Sequence, residues 1–573
     1  MRALDWAVLV TSLISIVAYG LYRSRGSNTV DRYLLAGKTM PWYAMALSIM
    51  ATQASAITFI STTGQSYVDG MRFVQFYFGL PIAMVVISAV VVPVFHRTKV
   101  YTAYEYLEQR FDGKTRALSS VIFLMQRGLS AGLTIYAPAI VLSVILGWPE
   151  RVTTSIMGAI VITYTVLGGI KAVTWSDVQQ MCVIFLGLVV ALVTCIVLLP
   201  HSVSLGDAVF LAGEAGRLNA VTTHFDWYDN FNIWSGLLGG TFLFLSYFGC
   251  DQSQVQRYLT GRSIAQSRLS LLFNAAAKIP MQFFILFIGA MVFVFYLFVQ
   301  PPVLFQHMEL ARIEGTIGYQ PIEQRYQHAF EDRRAAALAL VEAHHAGDAA
   351  SARRETADYR RAQNELDAAR AEAARLVERS GGAKGFTDTN YIFLSFVTRY
   401  LPTGVVGLVI AVIFAATMSA SSGEINSLAT VTVVDLYKRY FRTGGSDHHY
   451  LVASRWATLF WGIYAVMFAD WLGRIEALIV AVNKVGSLFY GSLLGAFVLA
   501  FGFRRVRGTA AFIGIAAGEA AILATSIFTD VSWLWYNVIG CAVVVITALA
   551  VTAAAPSGRS YPTSAKPGMQ QAQ

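Results

Sequence analysis

Apolar stretches of about twenty residues, separated by short polar loops, recur along almost the whole chain. A helix rises 1.5 Å per residue, so a stretch of this length crosses the roughly 30 Å of bilayer hydrocarbon. The pattern predicts an all-α polytopic membrane protein with about thirteen transmembrane helices. The predicted spans are residues 4–22, 42–63, 73–95, 118–146, 152–169, 178–199, 233–255, 271–299, 405–436, 451–471, 478–503, 510–528 and 533–551.

Lysine and arginine collect in alternate loops between these spans. One set of loops holds Arg97, Lys99 and Lys114, whereas the opposite set holds acidic residues such as Glu150 and Asp226. Basic loops stay in the cytoplasm. We therefore predict a multi-pass protein of the plasma membrane, in a bacterium the inner membrane, with the N-terminus outside and the C-terminal tail cytoplasmic.

The composition agrees with a membrane protein, since 56% of the residues are hydrophobic and 13% are charged. The net charge of +9 lies largely in the basic loops, so it indicates topology and not nucleic-acid binding. Residues 1–22 lack the basic leading region and cleavage site of a signal peptide, and the first span is expected to stay as an anchor. The sequence has no phosphate-binding loop, metal tetrad or nucleophile arrangement, so we predict no enzymatic activity.

One segment rich in alanine, glutamate and arginine interrupts the spans on the predicted outer side. Its heptad spacing predicts an extracytoplasmic helical hairpin with a turn near residues 344–348. We expect this hairpin to be dispensable for the membrane part. The predicted domains are residues 1–300 with spans 1–8, 301–387 with the hairpin insert, 388–553 with spans 9–13, and the 554–573 tail.

Two spans carry polar side chains at bilayer depth. The second span contains SIMATQASAITF at 48–59, and the ninth contains AATMSASSGEIN at 415–426. Polar groups in hydrocarbon cost free energy unless something binds them. Small and polar residues either allow close helix packing or break a helix so that its carbonyls coordinate a cation. For 415–426 we favour ion coordination.

Several strings resemble the sodium:solute symporter family, and in particular its branch of iodide, monocarboxylate and multivitamin transporters with a bacterial-type hairpin insert. The strings are AG at 36–37 with PW at 41–42, YEYLEQRF at 104–111, YAP at 136–138, GGIKAVTWSD at 168–177, DQSQVQRY at 251–258 and DLYK at 435–438. The resemblance implies a leucine-transporter-type fold with a five-plus-five inverted repeat. Its broken first core helix corresponds to the second span.

The resemblance also implies a sodium ion as the coupling ion, held by backbone carbonyls and two adjacent hydroxyls. In this family a second hydroxyl stands at the position of Ala420. Glu424, one turn further on, is expected to supply an oxygen instead, to carry a proton, or to pair with Lys484 or another basic residue. The implied sodium ligands are Ala51, Ala54, Ala416 and Ser419, with Glu424 as the substitute.

Some family members bind a second sodium ion. The resemblance places Asp177 and Ser422 at that site, although Gly423 stands where another hydroxyl would help. The positions implied to line the solute site are Gln53, Thr58, Phe76, Tyr77, Phe244, Tyr247, Asp251 and Asn483. The hexose-binding residues of the sugar branch are not kept at Thr58 and Tyr77, so the sequence does not identify the solute.

The leading hypothesis is a sodium-coupled symporter that takes up a small polar or anionic organic solute by alternating access. A proton-coupled symporter is the first alternative. A solute-binding membrane sensor is the second, and it would need a separate signalling partner docked at the outer hairpin. The expected partners are thus the solute, sodium and the lipid bilayer, with no nucleic acid.

Overall fold

The computed structural model describes residues 2–23, 29–53, 56–382, 385–472 and 478–554. Across these ranges the chain is helical, with a single isolated bridge between Met40 and Gly261. The helices of the first half are α1 Ala3–Arg23, α2 Val30–Leu35, α3 Trp42–Gln53, α4 Ala56–Asp69, α5 Leu80–Val86, α6 Val92–Thr98, α7 Ala103–Arg110, α8 Gly113–Leu146, α9 Glu150–Val197, α10 Leu205–Glu214, α11 Gly240–Gly249, α12 Gln252–Leu259 and α13 Ile264–Phe298.

The second half holds the insert and the remaining membrane helices. They are α14 His307–Glu314, α15 Tyr319–His345, α16 Ala349–Arg379, α17 Thr389–Tyr400, α18 Val405–Val431, α19 Asp447–Leu472, α20 Leu478–Gly502, α21 Gly508–Phe528 and α22 Trp533–Ala554. Short 3₁₀ segments cover Ala36–Lys38 and Gly70–Gly79, and π segments cover Ile87–Val91, Ser235–Gly239 and Thr432–Phe441.

Ten helical stretches of the described chain are long and apolar enough to cross a membrane, compared with the thirteen expected. Three of the expected spans account for the difference. The span at 42–63 contains residues 54–55, which lie outside the described ranges, the span at 233–255 is divided among a π segment, α11 and α12, and the spans at 152–169 and 178–199 both lie in the single helix α9. With 48 residues, α9 is about 72 Å long, and one candidate membrane span, Ile170–Val197, is found within it where two were expected.

Burial separates the core helices from the lipid-facing ones. Almost every residue of α18 is buried, including all of its polar residues. By contrast, α1, α19 and α21 expose apolar side chains such as Ile14, Phe460 and Ile527. A helix that is buried on all sides belongs at the centre of a bundle, and α18 packs there against α8 and α9.

The second predicted span is helical on both sides of residues 54–55. Helix α3 ends at Gln53 and α4 begins at Ala56, while residues 54–55 lie outside the described ranges. The hydroxyl of Thr58 in α4 donates to the carbonyl of Gln53 at 2.7 Å. Helix α18 contacts both α3 and α4.

The insert forms the predicted hairpin of α15 and α16, with the turn beginning after His345 and Asp348 capping α16. The buried stripe of α16 ends at Val377, whereas the heptad pattern predicted Leu376, because a straight helix drifts from a 3.5-residue repeat. The hairpin lies against the membrane helices. Arg333 of α15 donates to the carbonyl of Tyr296 at 2.6 Å, and Arg370 of α16 pairs with Asp388 at 2.8 Å.

Candidate functional site

A central cavity of about 70 Å³ is lined by the last residues of α3 and the first residues of α4. Seven parts of the chain converge on it, namely α3, α4, the 3₁₀ segment Gly70–Gly79, α8, α11, α18 and α20. Its lining is Thr52, Gln53, Ile57, Thr58, Phe76, Tyr77, Arg127, Thr134, Leu243, Phe244, Tyr247, Ala420, Glu424, Val482, Asn483 and Tyr490. Concave sites with a few converging polar groups are the usual binding sites for small molecules.

The structure brings together seven of the eight positions expected to line a solute site. These are Gln53, Thr58, Phe76, Tyr77, Phe244, Tyr247 and Asn483. The eighth, Asp251, does not line the cavity. Its carboxylate lies behind Arg127 and caps α12 by accepting from the backbone N–H and the hydroxyl of Ser253, at 2.8 and 2.7 Å.

Aromatic rings form one wall of the cavity. The rings of Tyr77 and Phe244 stack with centroids 5.7 Å apart, and Phe76 packs against both. The ammonium of Lys278 lies 5.4 Å from the centroid of the Tyr77 ring. Sequence position suggested that Lys278 could reach the membrane surface, but the residue is fully buried and its ammonium makes no hydrogen bond in the described part of the chain.

A buried charge cluster forms the opposite wall. The guanidinium of Arg127 donates to Oε1 of Glu424 at 2.8 Å and also pairs with Oδ2 of Asp251. The hydroxyl of Tyr490 accepts from Arg127 at 3.2 Å and donates to Asp251 at 3.3 Å. One guanidinium therefore lies between two carboxylates at the edge of the cavity.

Sequence reasoning missed Arg127, although the signal was present. It stands inside the predicted span 118–146, and an ionisable residue at membrane depth indicates function by default. Nothing in the sequence indicated that Tyr490 would join the cluster. Its role depends on how α20 packs against α8 and α11.

Glu424 was expected to lean toward Ala420 or to pair with a basic residue. The structure pairs it with Arg127 and not with Lys484, whose side chain is exposed. Its second oxygen, Oε2, makes no hydrogen bond in the described ranges. Ala420 and Glu424 both line the cavity, so this oxygen remains near the position where a hydroxyl is missing.

The expected sodium ligands lie on the elements that meet beside the cavity. Ala51 of α3 and Ala416 of α18 are fully buried, whereas Ala54 lies outside the described residues. Ser419 is buried and its hydroxyl makes no hydrogen bond among the described residues. A buried hydroxyl without a partner suits an oxygen-seeking cation such as sodium, so the residues present fit the ion.

The second expected sodium site has a different environment. Asp177 was expected near a span end, but it is fully buried within α9. Its Oδ2 accepts from the hydroxyl of Ser48 at 2.5 Å and from Nη1 of Arg257 at 2.9 Å. The hydroxyl of Ser422 donates to the carbonyl of Ser419 at 3.0 Å. A guanidinium already neutralises this carboxylate.

Comparison with protein families gives a match to the sodium:solute symporter family over residues 33–307 and 376–518. The match is interrupted where α14, α15 and most of α16 are inserted. Similar curated proteins include the sodium-coupled monocarboxylate transporter 1 of Homo sapiens, 28% identical over 91% of this chain and 72% of that protein. The sodium/sialic acid symporter SiaT of Proteus mirabilis is 26% identical over 95% of this chain and 93% of that protein.

A solved structure of a Na⁺-coupled sialic acid symporter in a substrate-bound, outward-open state is also similar. It has a TM-score of 0.73 and 24% sequence identity, over 96% of this chain and 98% of that chain. At this identity the likeness shows the fold. The expected leucine-transporter-type architecture of all-α membrane helices is confirmed.

Proposed function

Because this chain belongs to the sodium:solute symporter family, we propose that it takes up a small polar or anionic organic solute by alternating access. Sodium is the coupling ion, and the protein is a multi-pass membrane transporter. The observation that supports the proposal is the central cavity between α3, α4, α8 and α18, whose wall contains both apolar rings and a buried guanidinium. We infer that the chain acts as a transporter without enzymatic activity.

The cavity chemistry suits a solute with a charged or polar head and an apolar body. Gln53 Oε1 and Glu424 Oε2 are buried acceptors without a hydrogen bond in the described ranges. Arg127 supplies a guanidinium, which pairs well with a planar carboxylate. The similar proteins named for monocarboxylate and sialic acid transport act on carboxylic acids, so an organic carboxylate is the first solute to test.

We propose that the solute carboxylate takes the place of Glu424 at Nη1 of Arg127. The released Glu424 would then carry a negative charge in a buried site, which is costly unless a cation compensates it. Sodium beside Ser419 and Ala420 would supply that charge. This exchange of partners would link solute binding to sodium binding.

A proton on Glu424 is the second candidate for the compensating charge. A proton is favoured by the charge imbalance of the cluster, in which the single positive charge of Arg127 faces the two carboxylates of Asp251 and Glu424. Lys278 forms no ion pair within the described part of the chain, so it does not resolve the imbalance by direct contact. A proton-coupled symporter would use the same cavity.

The proposed orientation follows from the basic loops. We propose that the N-terminus and the α15–α16 hairpin lie outside, that the C-terminal tail is cytoplasmic, and that the membrane is a bacterial inner membrane. Lys99, Lys114, Arg262 and Lys438 lie in the loops and helix ends that would then face the cytoplasm.

Uptake by the purified protein in proteoliposomes tests the proposal. The solute panel contains monocarboxylates, sialic acid, carboxylate-bearing vitamins, neutral sugars and iodide, each with an inward sodium or potassium gradient. We expect uptake of at least one carboxylate that requires the sodium gradient and is lost in Arg127→Gln. Uptake confined to neutral sugars would contradict the proposal that the solute is an organic carboxylate. Uptake driven equally by a potassium gradient would contradict sodium coupling.

A further inference from the structure

The carboxylate of Asp177 lies in a closed polar cluster apart from the solute cavity. Nη1 of Arg257 donates to Oδ2 of Asp177 at 2.9 Å and to the hydroxyl of Ser48 at 2.5 Å, and that hydroxyl donates to Asp177 as well. All three residues are buried to within 1% exposure. The charge of this carboxylate is therefore compensated by a side chain of the protein itself.

Gly423 of α18 allows the guanidinium to lie where it does. A Cβ atom at this position would overlap Nη2 of Arg257, so any larger residue would require the guanidinium to move. Glycine in the middle of a helix is unfavourable compared with alanine, and Gly423 has an ordinary negative φ, so no turn explains it. The close approach of Arg257 therefore explains why a glycine stands at position 423.

The cluster also offers few oxygen atoms to a sodium ion, which requires several. Gly423 has no hydroxyl, the hydroxyl of Ser422 donates to a carbonyl, and Oδ2 of Asp177 is shared between Ser48 and Arg257, so Oδ1 is the one oxygen of this carboxylate without a hydrogen bond among the described residues. A buried guanidinium at this distance repels a second cation in a region of low dielectric. The residues therefore do not fit a second sodium ion.

We propose that Arg257 permanently takes the place of a second sodium ion at Asp177, so that this transporter couples one sodium ion to each solute. The inference rests on the proposed sodium coupling and adds its stoichiometry. Gly423 is the residue that sets it, because its missing side chain gives the guanidinium access to the carboxylate.

Equilibrium binding of ²²Na⁺ to the purified protein tests the inference without any knowledge of the solute. With choline chloride holding the ionic strength constant, we expect one sodium per protein and a Hill coefficient of about 1. Two sodium ions per protein would overturn the inference. No sodium binding would instead overturn the sodium site of the proposed function, so the two failures are distinguishable.

Two substitutions at Gly423 test separately whether this residue sets the number of bound sodium ions. Gly423→Ser displaces the guanidinium and adds a hydroxyl near Asp177 and Ser422, and we expect two bound sodium ions. Gly423→Ala displaces the guanidinium without adding an oxygen, and we expect one. If Gly423→Ser retains helical circular dichroism and still binds a single sodium ion, the role of Gly423 is contradicted. If either variant fails to fold, the sodium count of the unsubstituted protein still decides the stoichiometry.

Discussion

At the scale of single residues, the hydroxyls of α18 fall into two groups. Those of Thr417, Ser422 and Thr430 donate to backbone carbonyls of the preceding turn, as is usual for helical serine and threonine. Those of Ser419 and Ser421 make no hydrogen bond in the described part of the chain. The two groups have the same burial, so their difference lies in what surrounds each hydroxyl.

Replacing Ser419 with alanine should weaken sodium binding, because it removes the unbonded hydroxyl at an expected ligand position. We expect the sodium concentration for half-maximal ²²Na⁺ binding to rise about tenfold, which corresponds to roughly 1.4 kcal/mol. Ser421→Ala is the matched control, since its hydroxyl is equally buried and unbonded but two residues away on another helix face. Equal sodium affinity in the two variants would show that the hydroxyl of Ser419 is not a sodium ligand.

Replacing Glu424 with glutamine tests whether its carboxylate serves sodium or protons. If Oε2 is a cation ligand, the sodium concentration for half-maximal uptake should rise by about tenfold, and Ala420→Ser added to Glu424→Gln should recover part of the loss. The measurement is sodium-dependent uptake at several pH values. Normal sodium affinity with an altered pH profile would assign Glu424 to protons.

At the scale of elements, the hairpin is joined to the membrane helices by buried polar contacts. Asp388, next to the first residue of α17, accepts from the N–H of Phe305 at 2.6 Å and pairs with Arg370. Helix α17 in turn packs against α4. Replacing residues 330–379 with a flexible linker would leave Asp388 buried without its cation, so the structure predicts a less stable protein and not the dispensable insert that sequence alone predicted.

Arg370→Ala should lower the free energy of unfolding by about 3 kcal/mol, because it leaves a largely buried carboxylate unpaired. Arg325→Ala is the matched control, since its pair with Glu372 is half exposed and should change stability by no more than about 0.5 kcal/mol. Thermal unfolding in detergent measures both. Equal transition temperatures would show that the contact at Asp388 does not hold the hairpin.

The tip of the hairpin should detach in acid. Partial desolvation raises the pKa of Asp207 in α10, but hydrogen bonds from Ser204 and His345 outweigh it, so the pKa lies below its usual value of 3.8. A lowered pKa contributes stability that is present above the unfolded value and is lost as the pH falls through the folded one. Contact with His345 should therefore weaken below about pH 4.

Hydrogen exchange of the α15–α16 turn at pH 3 and pH 7 measures this effect, after correction for the intrinsic pH dependence of exchange. Asp207→Asn should make the corrected protection independent of pH over this range. A turn whose protection changes with pH as much in Asp207→Asn as in the unsubstituted protein would contradict the role of this pair.

At the scale of the whole molecule, the orientation in the membrane is testable by labelling. Arg353 on the hairpin and Thr443 in the loop before α19 are both exposed. In a background without native cysteines, Arg353→Cys should react with a membrane-impermeant maleimide on intact cells, and Thr443→Cys only after the membrane is opened. The reverse pattern would invert the proposed topology.

The sequence by itself determined the class of fold, the family and most of the cavity lining. Hydropathy depends on local composition, and lipid requires helices wherever an apolar stretch spans the membrane. The polar strings around Gln53 and Ser419 stood out because polar groups in hydrocarbon need a partner. The hairpin was likewise visible as a heptad pattern, although its buried stripe ends at Val377.

Only the tertiary structure decided which charges meet. Arg127 and Glu424 are 297 residues apart, and Asp177 and Arg257 are 80 apart. The partner of a buried charge depends on helix rotation and packing, which hydropathy does not encode. The same holds for Gly423, because only the tertiary structure shows that the guanidinium of Arg257 packs against it.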